Sequence, residues 1–551
     1  MALKHTLISL LLSSTAVAAP TETVQKKRAN DALEWGPCSE DDPNAELYAT
    51  LPVPLECGSL VVPLDWTAPE SNKTHVLSLV RAPALKQPAK GSIQINPGGP
   101  GIPGKASLVG VALDYLALSG GEYNIVAMDT RGTSEELPFI CTTDNSTISQ
   151  LGSTLVDMGV SEREFLTGWA WGTQVAGVCQ YQGNGNLTGE YIGTAATARD
   201  MARVAEVIDE DGLIRYWGIS YGTTLGATIA AMFPDRIDRM IIDGVQNAKQ
   251  YYYEWTDQEE WVLQDKVVDY FFDACVQAGP ELCTLAAYNR TGSELACDFR
   301  SFIKNVTNAP IGIPNPGAIV NEVVVKGQVF LQSYGVTGWG NFSQSVAALL
   351  YGSEDEKLKA LSKAASSSTS TSFSAALWGI HCGDRIPRAD NVEDVTPALR
   401  RQISESYYGG INADTQALCA QWPWKAKEIY QGNFEAKTKH PILVMSNSLD
   451  GQTPLLSAQN MSAGFEGAVV LENDAVGHSA SSYPNSCIAS HVLGYWLNGT
   501  LPSEGTLCEA EWGPFEGVGR TWAAVVAAMA NGTVNATDNA FSAKKWLEEH
   551  E

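Results

Sequence analysis

Residues 213–236 read LIRYWGISYGTTLGATIAAMFPDR. Leu213, Ile214, Tyr216 and Trp217 form an apolar run of the length of one buried strand. Gly218-Ile219-Ser220-Tyr221-Gly222 supplies a tight turn. Leu225, Ile229, Ala230, Met232 and Phe233 then fall at apolar helical positions, until Pro234 stops the helix. A strand, a G-x-S-x-G turn and a helix rich in small residues together make a nucleophile elbow. The two glycines lack a Cβ, so strand and helix can approach closely enough to hold the serine in a strained conformation. Ser220 is expected to expose its hydroxyl in a cleft, at a helix N-terminus.

A serine hydroxyl is a weak nucleophile until a base takes its proton, and the base needs an acid to fix its tautomer. Behind an elbow the chain order is serine, acid, histidine. The chain has 7 histidines. His478, in NDAVGHS, follows the apolar run 468–471 and falls where the loop after the last sheet strand should lie. His491 sits inside a helical pattern at 488–497, and His440 precedes a strand. Asp450, in SNSLDGQTP, follows the apolar run 442–445 and is the expected acid. Asp474 is its rival, four residues before His478 and read as part of the same loop. The tetrahedral intermediate needs backbone donors. Tyr221 is one. Gly98 and Gly99, in the loop NPGGPGIPG at 96–104, are the candidates for the other, since glycine lets the backbone come close and proline stiffens the turn.

Strand-like runs occur at 60–64, 76–81, 92–96, 124–129, 214–218, 240–243, 442–447 and 468–471. Several are followed by helical patterns, and the pattern 195–209 leads into the elbow strand. Alternation of this kind predicts an α/β class, the α/β-hydrolase fold, with a mostly parallel sheet and helices on both faces. The first two runs have a short connection and predict an antiparallel hairpin at the edge. Between 246 and 435 the pattern changes to helices, at 254–279 and 327–351, with a Ser/Thr-rich loop at 362–374. This predicts a large, mainly helical cap inserted between sheet strands. Residues 29–245 form the first part of the core, and 436–551 the second part with a C-terminal module. A smaller insertion is expected at 135–194.

Lys4 precedes the apolar run LISLLLSSTAVAAP at 7–20, which reads as a secretory signal peptide at 1–18. Lys26-Lys27-Arg28 marks either the processing point of a short pro-segment at 19–28 or a charged stub. Ten N-x-[ST] sequons, at Asn72, Asn145, Asn186, Asn289, Asn305, Asn341, Asn460, Asn498, Asn531 and Asn535, agree with export and N-linked glycans. So do the 11 cysteines, which lack any C-x-x-C pair. No H-E-x-x-H is present, and neither a metal nor a cofactor is expected. Spacing suggests Cys38–Cys57, Cys141–Cys179, Cys382–Cys419 and Cys487–Cys508, with one bond shared among Cys275, Cys283 and Cys297. No later segment reaches eighteen continuous apolar residues, so neither a membrane anchor nor a GPI tail is expected. A net charge of −26 argues against nucleic acid or an anionic membrane as partner. The expected location is extracellular.

With these motifs in place, the chain resembles the secreted tripeptidyl aminopeptidase-like branch of the prolyl-aminopeptidase family of α/β-hydrolases. The resemblance is carried by CGSLVVPLDWTAPE at 57–70, NPGGPG at 96–101, MDTRGTSEE at 128–136, GISYGTTLG at 218–226, GIHCGD at 379–384 and WLNGTLPSEGTLC at 496–508. Pro103 replaces a small polar residue of the family loop, and Ser134 stands where the family often has glycine. Both departures fall on the substrate side of the cleft. The resemblance implies a serine exopeptidase that takes short peptides or single residues from free N-termini through an acyl-enzyme on Ser220. A substrate ammonium would need a carboxylate, and Glu135, Glu136, Glu254, Glu260 and Asp384 are the candidates. None of them matches a family position strongly enough to carry a role over. A carboxylic-ester hydrolase using the same triad is the alternative. A catalytically silent binding protein on a hydrolase fold is the third reading.

Overall fold

The computed structural model describes residues 33–314, 317–366, 371–516, 519–533 and 541–550. The expected signal peptide and pro-segment lie outside these residues, as does Asn535.

One ten-stranded sheet organises the molecule, in the order β1-β2-β3-β5-β4-β6-β7-β10-β11-β12. Its strands are β1 (Gly36–Pro37), β2 (Glu56–Pro63), β3 (Thr74–Ala82), β4 (Ser92–Asn96), β5 (Asn124–Met128), β6 (Ile214–Ser220), β7 (Ile237–Val245), β10 (Leu443–Leu449), β11 (Val469–Val476) and β12 (Leu507–Cys508). The pairs β1–β2, β2–β3 and β3–β5 are antiparallel, and every pair from β5 to β12 is parallel. The expected hairpin is β2–β3, bordered at the edge by the two residues of β1.

The parallel strands are buried on both faces, which explains their continuous apolar runs. Val126, Met128, Tyr216, Ile242 and Val444 face one core, shared with helices Thr194–Ile208 and Tyr221–Met232. Their neighbours Ile125, Ala127, Trp217, Ile241, Leu443 and Met445 face the other, shared with helices Gly104–Leu118 and Ser486–Asn498. Arg131 of the MDTRG motif is fully buried and forks onto both oxygens of Asp200, at 2.6 and 3.0 Å. It also donates to Pro63 O at 2.7 Å, so it ties helix Thr194–Ile208 to the end of β2.

Residues 246–435 carry helices Gln264–Ala278, Gly292–Asn308, Glu322–Gln332, Trp339–Tyr351, Glu354–Ser366 and Thr371–Asp384 among others, with a small hairpin of β8 (Ile311–Ile313) and β9 (Ala318–Val320). Val267, Phe271, Phe299, Val329, Trp339 and Val346 form a core that continues onto Leu449 and Val476 at the ends of β10 and β11. The insertion thus sits on the C-terminal edge of the sheet. Met158 and Phe165 of the smaller insertion pack with Val395, Leu399, Ala413 and Ala417, so the two insertions share a core.

Three expectations about this region are corrected. The helical run 254–279 is interrupted: a helix ends at Tyr253, the chain extends at Glu254 (φ −106°, ψ 164°), and helix Gln264–Ala278 starts after a 3₁₀ turn at Gln258–Trp261. The interruption holds Asp257, which is committed to a buried ion pair with Arg385. The run 327–351 breaks at an extended Gly335, between helices Glu322–Gln332 and Trp339–Tyr351. The loop expected at 362–374 is mostly helix, Glu354–Ser366 and then Thr371–Asp384, with 367–370 outside the described residues. Serine is only a mildly poor helix former, and Leu361 is buried in the insertion core, so packing decides.

All four suggested disulfides form, and the fifth joins Cys275 to Cys283, leaving Cys297 free and exposed.

Candidate active site

β6 runs without a break into Ser220, whose φ of 59° and ψ of −128° place it in the strained region of an elbow. A Cβ on Gly218 would meet Gly222 O at 2.2 Å, and one on Gly222 would meet Asn96 O at 2.6 Å. Both positions therefore require glycine. Asn96, the last residue of β4, pairs with Gly218, which brings the loop after β4 against the elbow. There Gly98 is so close that a Cβ would lie 2.7 Å from Ser220 Cβ and 3.2 Å from Tyr221 N. Gly98 and Gly99 have φ of 98° and 105°. The Gly98 N–H donates to Asn96 Oδ1 at 3.0 Å, inside the loop. Of the two candidate donors, Gly99 is the one without such an engagement.

Asp450 is the first residue after β10 and is fully buried. Its Oδ1 accepts from Gln452 N and Thr453 N, both at 2.8 Å, and its Oδ2 accepts from Ser479 N at 2.7 Å. His478, two residues after β11, sets Nδ1 at 3.2 and 3.1 Å from the two carboxylate oxygens. The Thr453 hydroxyl lies 3.0 Å from Asp450 Oδ2 and 3.1 Å from His478 Nδ1. This carboxylate fixes the imidazole by its Nδ1 side, with Nε2 as the free nitrogen. His478 Nε2 is buried and has no hydrogen-bond partner.

The elbow and the acid–base pair meet at the C-terminal edge of neighbouring parallel strands, where open α/β sheets bind ligands. Ser220 pairs with Val245 of β7. The preceding Gly244 abuts Ser479, next to His478, and a Cβ there would come within 2.8 Å of Ser479 Cβ. Asp243, which the sequence did not single out, accepts from Ala480 N at 2.7 Å, from Ser481 N at 2.9 Å and from the Ser481 hydroxyl. Burial pushes its carboxyl up to about 6, partly offset by these bonds. Asp243 anchors the segment that follows His478.

Asp474 is corrected from loop to strand: it belongs to β11, and its side chain accepts from Lys544 N at 2.7 Å. It faces the helix Ala543–His550 while Asp450 faces His478. β11 runs further than its apolar start because the Asn473 amide finds a partner inside the sheet, its Nδ2 donating to Asn447 Oδ1 at 2.9 Å.

Of the five carboxylates considered for a substrate ammonium, Glu135, Glu136 and Glu254 are exposed. Asp384 is fully buried and enclosed by protein donors: Thr194 N at 2.9 Å, the Thr194 hydroxyl at 2.5 Å and Tyr251 OH at 3.1 Å. Burial pushes it up to about 7. The Thr194 hydroxyl also contacts Tyr221 OH at 2.6 Å, so the GIHCGD motif reaches the residue after Ser220. Glu260 is partly buried and accepts from Gln246 Nε2 at 2.6 Å. The Gln246 N–H donates to the Thr223 hydroxyl at 2.9 Å, which donates in turn to Ser220 O at 2.5 Å. Burial first, and then the negative charge of Asp257, push Glu260 well above the usual carboxylate range. Asp257 itself is held low, against the cost of burial, by Arg385 and His381. The ring of Tyr334 lies against His478.

Cys487, His491 and Cys508 bring metal-ligand residue types together, but both cysteines are committed to one disulfide.

Residues 93–301 match the family described as alpha/beta hydrolase fold, and residues 405–508 match the one described as TAP-like protein. Serine protease Hip1 of Mycobacterium tuberculosis is 25% identical over 513 residues, covering 91% of this chain and 95% of its own. Tripeptidyl aminopeptidase of Streptomyces lividans is 24% identical over 510 residues, 88% of this chain and 87% of its own. A protein named carboxylesterase B, from Mycobacterium tuberculosis, is 25% identical over 498 residues, 86% of this chain and 89% of its own.

Proposed function

Taking the chain as a TAP-like α/β-hydrolase and a serine hydrolase, we propose that it is an aminopeptidase releasing short peptides or single residues from free N-termini. Ser220 is the nucleophile, His478 the base and Asp450 the acid that orients it. His478 Nε2 takes the Ser220 proton as Oγ bonds to the substrate carbonyl carbon. The carbonyl oxygen becomes an oxyanion, received by the N–H groups of Tyr221 and Gly99. His478 then gives the proton to the leaving amine, and the C–N bond breaks. Water attacks the acyl-enzyme with His478 again as base, and Ser220 recovers its proton.

The observation that carries the peptide reading is Glu260. It is a partly buried carboxyl linked through Gln246 and Thr223 to the elbow, and among the described residues it makes no ion pair with a basic side chain. A carboxyl raised by burial and by a like charge is poised for a cation, because an arriving ammonium restores its ionised form. The insertion 246–435, which contributes Glu260, acts as the specificity cap. The names of the two peptidase relatives support the same reading. Export is supported by the five disulfides, which suit an oxidising compartment. Among the described residues no helix is long and apolar enough to cross a membrane.

An ester substrate is the second reading, favoured by the relative named carboxylesterase B. Matched substrates decide: a free tripeptide anilide, its N-acetylated form and the corresponding simple ester. N-acetylation is expected to lower kcat/KM about 100-fold, the scale of a charge-assisted bond. Glu260→Gln should lose a similar factor on the free peptide and little on the ester. Equal turnover of blocked and free peptides would rule out the aminopeptidase.

A further inference from the structure

The cap does more than cover the cleft, because its turn at Ser333-Tyr334-Gly335 touches both the acid loop and the base. The backbone N–H of His478 donates to Tyr334 O at 3.1 Å. The Tyr334 ring stands perpendicular to the His478 imidazole, with centroids 5.3 Å apart. On the acid side, Gln452 Nε2 donates to the Ser333 hydroxyl at 2.5 Å and to Phe330 O at 3.4 Å. Gln452 is held to Asp450 through its own backbone N–H, at 2.8 Å. Between them, Gly451 is packed so closely that a Cβ would lie 2.8 Å from Val267 Cγ2 and 3.4 Å from Ser333 Cβ.

We propose that Tyr334 is a positioning residue for His478, and that the cap turn 333–335 braces the acid–base pair from the insertion side. The proposal rests on the reading of His478 as the base. Its physical need is specific. The bonds from Nδ1 to Asp450 fix one end of the imidazole, but Nε2 has no hydrogen-bond partner. A ring held at one nitrogen can still pivot about that attachment, which swings Nε2 away from the nucleophile. The Cβ–Cγ bond and the Nδ1 bonds leave small changes in χ1 and χ2 that still move Nε2; packing narrows that freedom, and the perpendicular Tyr334 ring lies against the imidazole. The carbonyl of the same residue fixes the His478 backbone, so one residue restrains both ends of the histidine. Misplacement of a reacting group by about 1 Å costs up to about 100-fold in rate.

Tyr334 is also 45% exposed, so its ring is open to substrate contact as well. The two roles separate when the probe is small. The experiment compares wild type, Tyr334→Ala, Tyr334→Phe, Ser333→Ala and His478→Ala. It measures the rate of Ser220 labelling by a small alkyl fluorophosphonate, together with kcat and KM on a peptide anilide. Tyr334→Ala keeps the carbonyl and removes the ring. It is expected to slow labelling and kcat alike by about tenfold, with KM nearly unchanged. Tyr334→Phe should restore both to within about twofold, since the ring and not the hydroxyl makes the contact. Ser333→Ala should lose an intermediate factor. Wild-type labelling of Tyr334→Ala, with only the peptide reaction slowed, would make Tyr334 a substrate contact and overturn the proposal. If Tyr334→Ala does not fold, unchanged labelling of folded Ser333→Ala overturns the brace in its place. Failure of the underlying reading has a separate sign, namely wild-type labelling of His478→Ala.

Discussion

At Gly98 a single methyl group decides whether Ser220 keeps its place. A Cβ there would lie 2.6 Å from Ile219 O and 2.7 Å from Ser220 Cβ, and the φ of 98° already disfavours any L side chain. Gly98→Ala is therefore expected to lower fluorophosphonate labelling at least about 100-fold. The circular dichroism spectrum should stay that of the wild type, because the displaced atoms lie at the cleft and not in either core. Normal labelling would mean that the loop yields and that Gly98 does not shape the site. Ser220, Gly98, Asp450 and His478 stand out in the sequence as candidates because each follows an apolar run at a position the elbow logic assigns. Asp243, Thr453 and Tyr334 do not. Asp243 reaches backbone donors at 480–481, and Tyr334 meets His478 from another part of the chain. Contacts between distant segments leave no spacing to read.

At the scale of elements, strand ends divide what was legible from what was not. β4 was read residue for residue, since all of Ser92–Asn96 is buried and NPGG follows at once. β6, β10 and β11 run further than their apolar stretches suggest, up to Ser220, Leu449 and Val476. Polar residues just inside the ends of β10 and β11 find partners there: Ser448 Oγ donates to Glu472 Oε1 at 2.7 Å, and Asn447 Nδ2 to Gly477 O at 2.8 Å. Hydrogen bonding between strands replaces hydrophobicity where the sheet meets the site. The insertion shows the same effect in its joint at 254–263. There Asp257 accepts from Arg385 Nη2 at 2.5 Å, with both side chains buried. Asp257→Ala would leave Arg385 buried without its anion, at a cost of about 3–5 kcal/mol. Urea denaturation should show that loss as a lower midpoint, and a midpoint equal to wild type would mean that the pair is not needed to hold the cap.

For the whole molecule, acidity and stability are linked. Burial is the largest cause that pushes Asp129 and Asp243 up to about 6, and Asp384 and Asp414 up to about 7. In the unfolded chain these groups return to the ordinary value of 3.8. Between about pH 4 and 7 the folded protein therefore binds more protons than the unfolded one, so stability rises as pH falls. His75 and His381, whose burial lowers their pKa, act in the opposite sense below about pH 6.5. His491 is lowered as well, but the raised carboxyls, which also include Glu260, Asp200 and Asp474, outnumber the histidines, and protonation also relieves a net charge of −26. The thermal midpoint is expected to be higher at pH 5 than at pH 8, by calorimetry at constant ionic strength. A lower midpoint at pH 5 would refute this balance.

The five disulfides have sequence separations between 8 and 38, and none interleaves with another. Each cysteine can therefore meet its partner in the order in which the chain is made, before the next pair emerges. The covalent cross-links thus close separate stretches, and no bond joins the half of the sheet that carries Ser220 to the half that carries Asp450 and His478. That union depends on β10 settling beside β7 after the cap has been threaded between them. A chain crossing a membrane as it is synthesised would display its serine long before it possessed an acid or a base. On the proposed export, hydrolytic capacity would arise at the final step of folding, after translocation, and the nascent chain would be harmless to its export machinery.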